Sequence, residues 1–399
     1  MSGRKAAAAP RAQSPRLSMV FALVAAAFTT IYLPQPVLPV LQREFGVSPS
    51  LASLSVSAVV LGLALANLPF GLLSDRLPVR PLILAGGLVI AGAGLFCSLT
   101  HSLALLVAAR FVQGLFLPAL TTCLAAYLAK SLALERLNVA MGSYVSATVA
   151  GGLLGRLLGG WLHPPLHWRY AFVTASLLLL AATLAAWAWL PPEPAARHCR
   201  ERPAGLGQLL RRPELLRNYL VAFGAFFVFS SIFNYLPFYL SGPPFNASTQ
   251  FITLLYLTYL LGIVIGPLAG RLSNRLGNGA TMAWGSALFA CAVLVSLVPS
   301  LWAVVSSLAG VCLGFFAVHS AAAGALNRRL SGSQGRANSL YVLFYYLGGT
   351  AGITLSGQAW GWGGWPAVVA LGVAMLTWPL GVGLWEAREH RRRGTAQQA

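Results

Sequence analysis

Apolar residues run along this chain in long stretches separated by short polar or Pro/Gly-marked breaks, at 17–42, 51–74, 81–100, 102–128, 138–162, 170–190, 217–241, 249–273, 280–299, 301–327, 337–360 and 365–385. A helix needs roughly 20 mostly apolar residues to cross a bilayer's hydrocarbon core, so the pattern predicts twelve spanning helices. The first stretch follows Arg4, Lys5, Arg11 and Arg16, as a secretory leader would. It is too long for a leader and runs straight into another span, so an uncleaved anchor is expected. The longest break, 191–216, carries Pro191, Pro192, Pro194 and Pro203 among arginines. It divides the chain into a basic tail (1–16), a six-helix bundle (17–190), a linker (191–216), a second six-helix bundle (217–385) and a second basic tail (386–399).

Composition agrees. The 399 residues are 57% hydrophobic and 9% charged, against about a quarter charged in soluble domains. The net charge of +19 would suggest nucleic acid in a soluble protein, but its placement along the chain argues otherwise. With the N-terminus inside, all but Arg43, Arg169, Arg110 and Arg156 of the 27 Lys and Arg fall in cytoplasmic segments, as the positive-inside rule requires. Both termini are therefore expected in the cytoplasm of a bacterial-type inner membrane, with lipid and not nucleic acid as the partner of the basic collar. Of the five cysteines, Cys97, Cys123, Cys291 and Cys312 sit in apolar runs and only Cys199 in a polar stretch. They form neither a disulfide framework nor a metal-ligand spacing, and no cofactor is expected.

The chain also matches itself at an offset near 200. Arg136 and Asn138 align with Arg336 and Asn338, Gly114-Leu115-Phe116 with Gly314-Phe315-Phe316, Gly152 with Gly352, and Phe45 and Ser48 with Phe245 and Ser248. One residue off that offset, Gly71-Leu72-Leu73-Ser74-Asp75-Arg76-Leu77 aligns with Gly270-Arg271-Leu272-Ser273-Asn274-Arg275-Leu276. Such residues are not shared by any two apolar helices, so an internal duplication of six helices is the economical reading. Two halves in the same orientation form the parallel-repeat plan of a rocking transporter.

Gly71 to Arg80 lies at the cytoplasmic end of span 2, where Asp75, Arg76 and Arg80 meet helix ends and anionic headgroups. It resembles the loop motif of the major facilitator superfamily, G-x-L-a-D-r-x-G-r-r, with Pro78 where the family usually has Gly. The segment from Gly270 through Asn274 and Arg275 resembles the family's second copy, with Asn274 in place of the acid. Arg110-Phe111-Val112-Gln113-Gly114 in span 4 is similar to the superfamily's R-x-x-q-G pattern, whose arginine is linked to proton coupling. In span 5, Gly142, Gly151, Gly155, Gly159 and Gly160 follow the spacing of a motif typical of antiporters, with Arg156 replacing its proline. Small residues so spaced let helices pack closely. The resemblance covers nearly the whole chain and is best to the twelve-span drug:proton antiporter branch, including bacterial proteins described as arabinose or drug efflux permeases. It implies an all-α membrane protein of twelve transmembrane helices in two six-helix pseudo-repeat bundles.

Ionisable residues at membrane depth are costly and mark functional sites. Three occur: Arg110, Arg156 and His319. Each has a structural reading beside the functional one: a cation bonded to backbone carbonyls for the arginines, a neutral packing residue for His319, whose ordinary pKa near 6.5 suits a proton carrier. None of the eight acids, Glu44, Asp75, Glu135, Glu193, Glu201, Glu214, Glu386 and Glu389, lies mid-span. A permanently cationic substrate would want a buried carboxylate, so the expected substrate is neutral or anionic, with Arg110 or Arg156 as its counter-charge. Glu44, at the outer end of span 1, is a candidate partner for either arginine that would exchange that bond for a proton; the plainer reading is an Arg43/Glu44 end pair. Polar and aromatic candidates on cavity helices are Tyr32, Gln35, Asn67, Gln113, Tyr144, Asn234, Tyr235, Tyr256, Tyr341 and Tyr345, suited to an amphiphile. Tyr341 and Tyr345 share a helical face and so rank above Tyr346; Trp360, Trp362 and Trp365 read as an interfacial belt.

The expectation is a secondary transporter, not an enzyme, that couples efflux of a small neutral or anionic organic compound to protons by alternating access and works as a monomer. Import of an organic anion or sugar by a symporter or facilitator is the alternative of the same class, and a non-transporting receptor that of another.

Overall fold

The computed structural model describes residues 17–132, 134–191, 205–330 and 334–396. The tail 1–16 and residues 192–204 of the linker, with Arg197, Arg200, Arg202, Glu193, Glu201 and Cys199, lie outside the described residues, as do the side chains of Glu135 and Asn138. The described residues are helical, without strands. One half comprises α1 (Leu17–Phe45), α2 (Pro49–Arg76), α3 (Val79–Leu99), α4 (Leu103–Ser131), α5 (Leu134–Trp161) and α6 (Trp168–Trp189). The other comprises α7 (Pro213–Ser241), α8 (Thr249–Leu276), α9 (Asn278–Val295) and α10 (Leu301–Arg328), then α11 (334–362) and α12 (365–396). These last two are continuous except at Gly363 and Gly364, whose backbone is non-helical. The twelve helices form two six-helix bundles. The helix α12 runs to Ala396, past the end of its apolar run, where Arg329 pairs with the buried Glu386 at 2.8 Å; most of the expected C-terminal tail is thus helix.

The duplication is visible in local chemistry. Ser48 and Ser248, matched in sequence, both cap helices, accepting hydrogen bonds from Leu51 N–H (3.3 Å) and Phe251 N–H (3.2 Å), as side-chain N-caps do. In α5, a Cβ on Gly151, Gly155 or Gly159 would stand 2.2, 2.1 and 2.0 Å from the carbonyl oxygens of Ala25, Thr29 and Leu33 on α1. The two backbones touch along three turns, which only glycine permits. The same packing joins α11 to α7, with Gly348 against Phe223 O and Gly352 against Phe227 O, both at 2.2 Å. The structural counterpart of Gly352 is therefore Gly155, not the Gly152 that sequence matching pairs with it.

Helix breaks are equally specific. The helix α1 is interrupted by a 3-10 turn at Gln35–Val37, where Pro34, Pro36 and Pro39 remove backbone donors. A second 3-10 turn, Tyr256–Tyr259, interrupts α8. Both breaks lie where the two halves meet α5.

Arg110, on α4, has no solvent exposure. Its Nε donates to Ser55 O on α2 (2.8 Å), Nη1 to Thr30 O on α1 (2.6 Å) and to Gln113 Oε1 (2.7 Å), and Nη2 to Ile31 O. Its guanidinium lies over the Phe172 ring of α6 at 5.7 Å. Gln113 Nε2 continues the network to Ile90 O on α3 at 3.0 Å. One cation on α4 thus ties together five helices of the first half, α1 and α2 through backbone acceptors, α3 through Gln113 and α6 through a ring face, each bond to a charged donor contributing about 1.5–3 kcal/mol.

Replacing Arg110 by Met strands these acceptors, and Lys, with three donors on a point charge, serves only part of them. Arg110→Met is expected to destabilise the folded protein by about 3–5 kcal/mol, the sum of a few buried acceptors left unsatisfied at about 1–3 kcal/mol each, and Arg110→Lys by about 2–3 kcal/mol, read as lowered melting temperatures in detergent. Gly155→Val should be at least as damaging as Arg110→Lys, because its side chain meets the backbone of Thr29; wild-type melting would contradict the packing described.

Candidate functional site

A cavity of about 430 Å³ lies between the halves. It begins beside Gly335, Asn338, Asn67 and Thr122, toward the end of the bundle that carries Arg76, Lys130 and Arg328, and rises to Arg156 and Gly152. Tyr32, Tyr144, Tyr259, Tyr341, Tyr345 and Tyr346 line it, with an aromatic wall of Phe226, Phe229, Phe315 and Phe316. The wall is tightly stacked: Phe229 lies on Phe315 at 3.9 Å and Phe226 on Tyr345 at 3.8 Å. At the far end the halves are joined. Asn234 Nδ2 on α7 donates to Ser53 Oγ on α2 at 2.8 Å. A Cβ on Gly160 would lie 1.7 Å from Thr253 Oγ1, and one on Gly357 2.4 Å from Ser50 Oγ, so α5 meets α8 and α11 meets α2 there without a gap.

Arg156 closes the cavity's inner end, 1% exposed. Its Nε donates to Gln35 Oε1 (2.7 Å), Nη1 to Gly152 O (2.8 Å) and Nη2 to the Tyr259 hydroxyl (2.8 Å). Tyr32 of α1 and Tyr259 of α8 hold the guanidinium between their rings at 4.0 and 4.2 Å, with Tyr256 at 5.4 Å. The breaks in α1 and α8 turn these rings toward it. All three bonding partners are neutral, and no carboxylate contacts it among the described residues. Three of its five donors are used in these bonds.

The two predicted arginines therefore differ in place. Arg110 and Gln113 lie inside the first bundle and do not line the cavity; Arg156 does. His319 lines it too, its Nδ1 3.1 Å from the Tyr341 hydroxyl and its ring stacked on Phe315. Asn67 accepts from Thr122 Oγ1 (2.6 Å) and donates to Ser339 O on α11 (3.4 Å), and the Tyr144 hydroxyl donates to Thr121 O (2.9 Å). Tyr341 and Tyr345 line the cavity as their shared face predicts, but Tyr346 joins them. Asn234, Tyr235, Tyr256 and Gln35 stand outside the lining, the last two touching it through Arg156. Tyr235 donates to Ile353 O (3.0 Å) and Tyr256 to Phe233 O (3.0 Å), both as packing bonds.

Glu44 meets neither buried arginine. It accepts from Trp168 Nε1 and pairs with Arg169, with His167 at 3.6 Å, a cluster at the end opposite the cavity mouth. The expected Arg43/Glu44 pair is absent too, since Arg43 Nε turns to Pro39 O at 3.3 Å: Arg169 supplies the shorter reach. Trp365 is not a belt residue. It is buried, stacked on Tyr239 at 4.6 Å and donating to Ser296, whereas Trp362 is 85% exposed.

In the loop motif, Arg80 donates to Trp187 O and lies over that ring at 5.1 Å, while Asp75 and Arg76 are exposed. Gly71 and Gly270 have room for a side chain here, with nothing nearer than 3.8 Å to a Gly71 Cβ. Arg328 donates to Asn274 at 2.6 Å, so the asparagine serves as an acceptor where the acid is missing; Arg275 is exposed. Sequence reasoning missed Tyr259 and the four phenylalanines, because aromatic residues at helical spacing read as ordinary core. A signal for Tyr259 was its place three residues after Tyr256.

The Major Facilitator Superfamily model matches residues 20–353. The MFS-type transporter YybF of Bacillus subtilis is 31% identical over 380 residues, covering 92% of each chain. The inner membrane transport protein YnfM of Escherichia coli is 32% identical over 377 residues, covering 94% of this chain and 90% of its own. Among solved structures, a bacterial homolog of the human lysosomal transporter Spinster, in an inward-facing and occupied conformation, superposes with a TM-score of 0.74 at 15% identity, covering 94% of this chain and 96% of that one. The twelve helices, the cavity between two like halves and these matches agree: the chain belongs to the major facilitator superfamily and is a secondary transporter, not an enzyme.

Proposed function

We propose that this protein exports a small organic anion, or a neutral compound of similar shape, from the cytoplasm in exchange for protons, as a monomer of the drug:proton antiporter branch in an inner membrane. The carrying observation is Arg156, a buried guanidinium at the end of an aromatic cavity with only neutral partners. A cation removed from water favours an incoming anion, and the aromatic wall offers an apolar body its stacking surface. A permanently cationic dye finds no counter-charge there. The basic collar supports cytoplasmic termini; in that orientation the cavity opens inward and the joined end seals the outside. The units that rock about the cavity are residues 17–190 and 217–385, since both contribute to its lining. The glycine stripe of α5 supports export by its likeness to the antiporter motif. For the proton, the candidate is His319, the one histidine among the lining residues, beside Tyr341, whereas Glu44 lies in a separate cluster.

Proteoliposome transport tests this reading. Efflux of an anionic aromatic compound should exceed that of ethidium, and Arg156→Gln should reduce the anion flux by about tenfold or more, as expected for loss of one buried charge-assisted contact. Faster ethidium flux in the wild type refutes the charge assignment. Substrate-driven dissipation of a pH gradient should persist in Glu44→Gln and fall in His319→Ala; full dissipation in His319→Ala removes that residue as the proton site.

A further inference from the structure

Arg156 touches both halves. It belongs to α5, and its bonds to Gln35 and Gly152 and its contact with Tyr32 stay within the first half. The hydrogen bond to Tyr259 and the faces of Tyr259 and Tyr256 belong to the second. These contacts lie between the cavity and the glycine seal at Gly160 and Thr253. Rocking to open the far side must part α5 from α8 and so strip the guanidinium of every contact with the second half. Among the described residues no carboxylate is at hand to take their place, and a half-desolvated cation is costly.

We infer that Arg156 is the latch of the outer gate, and that an anion arriving through the cavity releases it by replacing Tyr259 and Tyr256 as the partner of the guanidinium. The attraction to the tyrosine faces depends on the cation's net charge, and a carboxylate paired with the guanidinium cancels most of it. The spare donors give the anion its first foothold, and the bond to the Tyr259 hydroxyl is the one it displaces. Anion binding is thereby tied to reorientation, which is the differential affinity that a ligand-driven change of state requires. A neutral compound that merely fits the cavity leaves the cation unpaired and the latch shut, so the latch narrows the substrate proposed above to its anionic form. Tyr259 becomes a gating residue, with a role distinct from that of Tyr345 or Phe226, which stack within the second half. The release step rests on the anion reading of the cavity; the latch itself does not.

Distances across the gate test both. Spin labels at Leu166→Cys and Gln250→Cys, exposed positions on the sealed side of the two halves, are placed in a full-length protein whose five native cysteines are replaced by alanine, reconstituted in lipid vesicles. Without ligand, the wild-type background should show mainly the short distance. Arg156→Gln should raise the ratio of long to short distances about tenfold, the scale of one lost buried cation–π and hydrogen-bond contact, and Tyr259→Phe, which keeps the ring and loses the hydroxyl, by less. Sodium salicylate should lengthen the distance in the wild-type background and in Tyr259→Phe but not further in Arg156→Gln, and neutral salicylamide in none. Wild-type distributions in both variants overturn the latch, and Tyr259→Phe decides this alone where Arg156→Gln fails to fold. A response to salicylamide equal to that to salicylate, or no response to salicylate, overturns release by an anion. An open gate in Arg156→Gln alongside absent anion efflux by the wild-type protein in the transport assay would leave the latch standing and remove only the proposed substrate.

Discussion

A positive charge held in a membrane interior without a negative one is the constraint on which this structure turns. The chain does so twice and resolves it differently each time. At Arg110 the answer is backbone: the carbonyl oxygens of Thr30, Ile31 and Ser55 accept from the guanidinium, with Gln113 completing the set. Those acceptors are fixed by helix geometry and do not change when the halves move, so this charge is a staple of one half. At Arg156 the answer is aromatic faces and neutral oxygens drawn from both halves. That answer holds in only one arrangement of the halves.

Glycine explains how such arrangements are precise enough to matter. Where Gly151, Gly155 and Gly159 lie against the α1 backbone, α1 and α5 interlock, and α7 and α11 are joined the same way through Gly348 and Gly352. Interlocked within each half in this way, the helices leave the surfaces between the halves as the place where the rocking proposed above would act. There the seals are side-chain contacts, Asn234 on Ser53 and Gly160 against Thr253, which separate at far smaller cost than interlocked backbones. The prolines of α1 and the 3-10 turn of α8 add the local bends that aim Tyr32 and Tyr259 at one guanidinium.

The likeness to the relatives and to the solved inward-facing structure concerns the frame. What the frame holds here is a wall of stacked phenylalanines, His319 beside Tyr341, and an arginine at the position where the generic antiporter motif has a proline. An arginine there brings a charge to the junction of α5 and α8, a place otherwise governed by close packing.

The sequence by itself determined the number of helices, their grouping and their duplication, because a bilayer imposes length and apolarity on each span independently of its neighbours. The matched pair Ser48 and Ser248 proved to be equivalent helix caps, so the duplication read from the chain reaches down to single residues. It also identified Arg110, Arg156 and His319, since an ionisable residue in an apolar run stands out without any structure. It left the two arginines equivalent, and it placed Glu44 within reach of both. Only the tertiary structure separated them, by bringing α1, α2 and α6 around Arg110 and the second half's Tyr259 to Arg156, and by turning Glu44 to Arg169 and Trp168. These are contacts between residues far apart in the chain, and their partners are mostly backbone carbonyls and aromatic faces. Every helix offers those in abundance, so no pattern along the sequence distinguishes the few that are used.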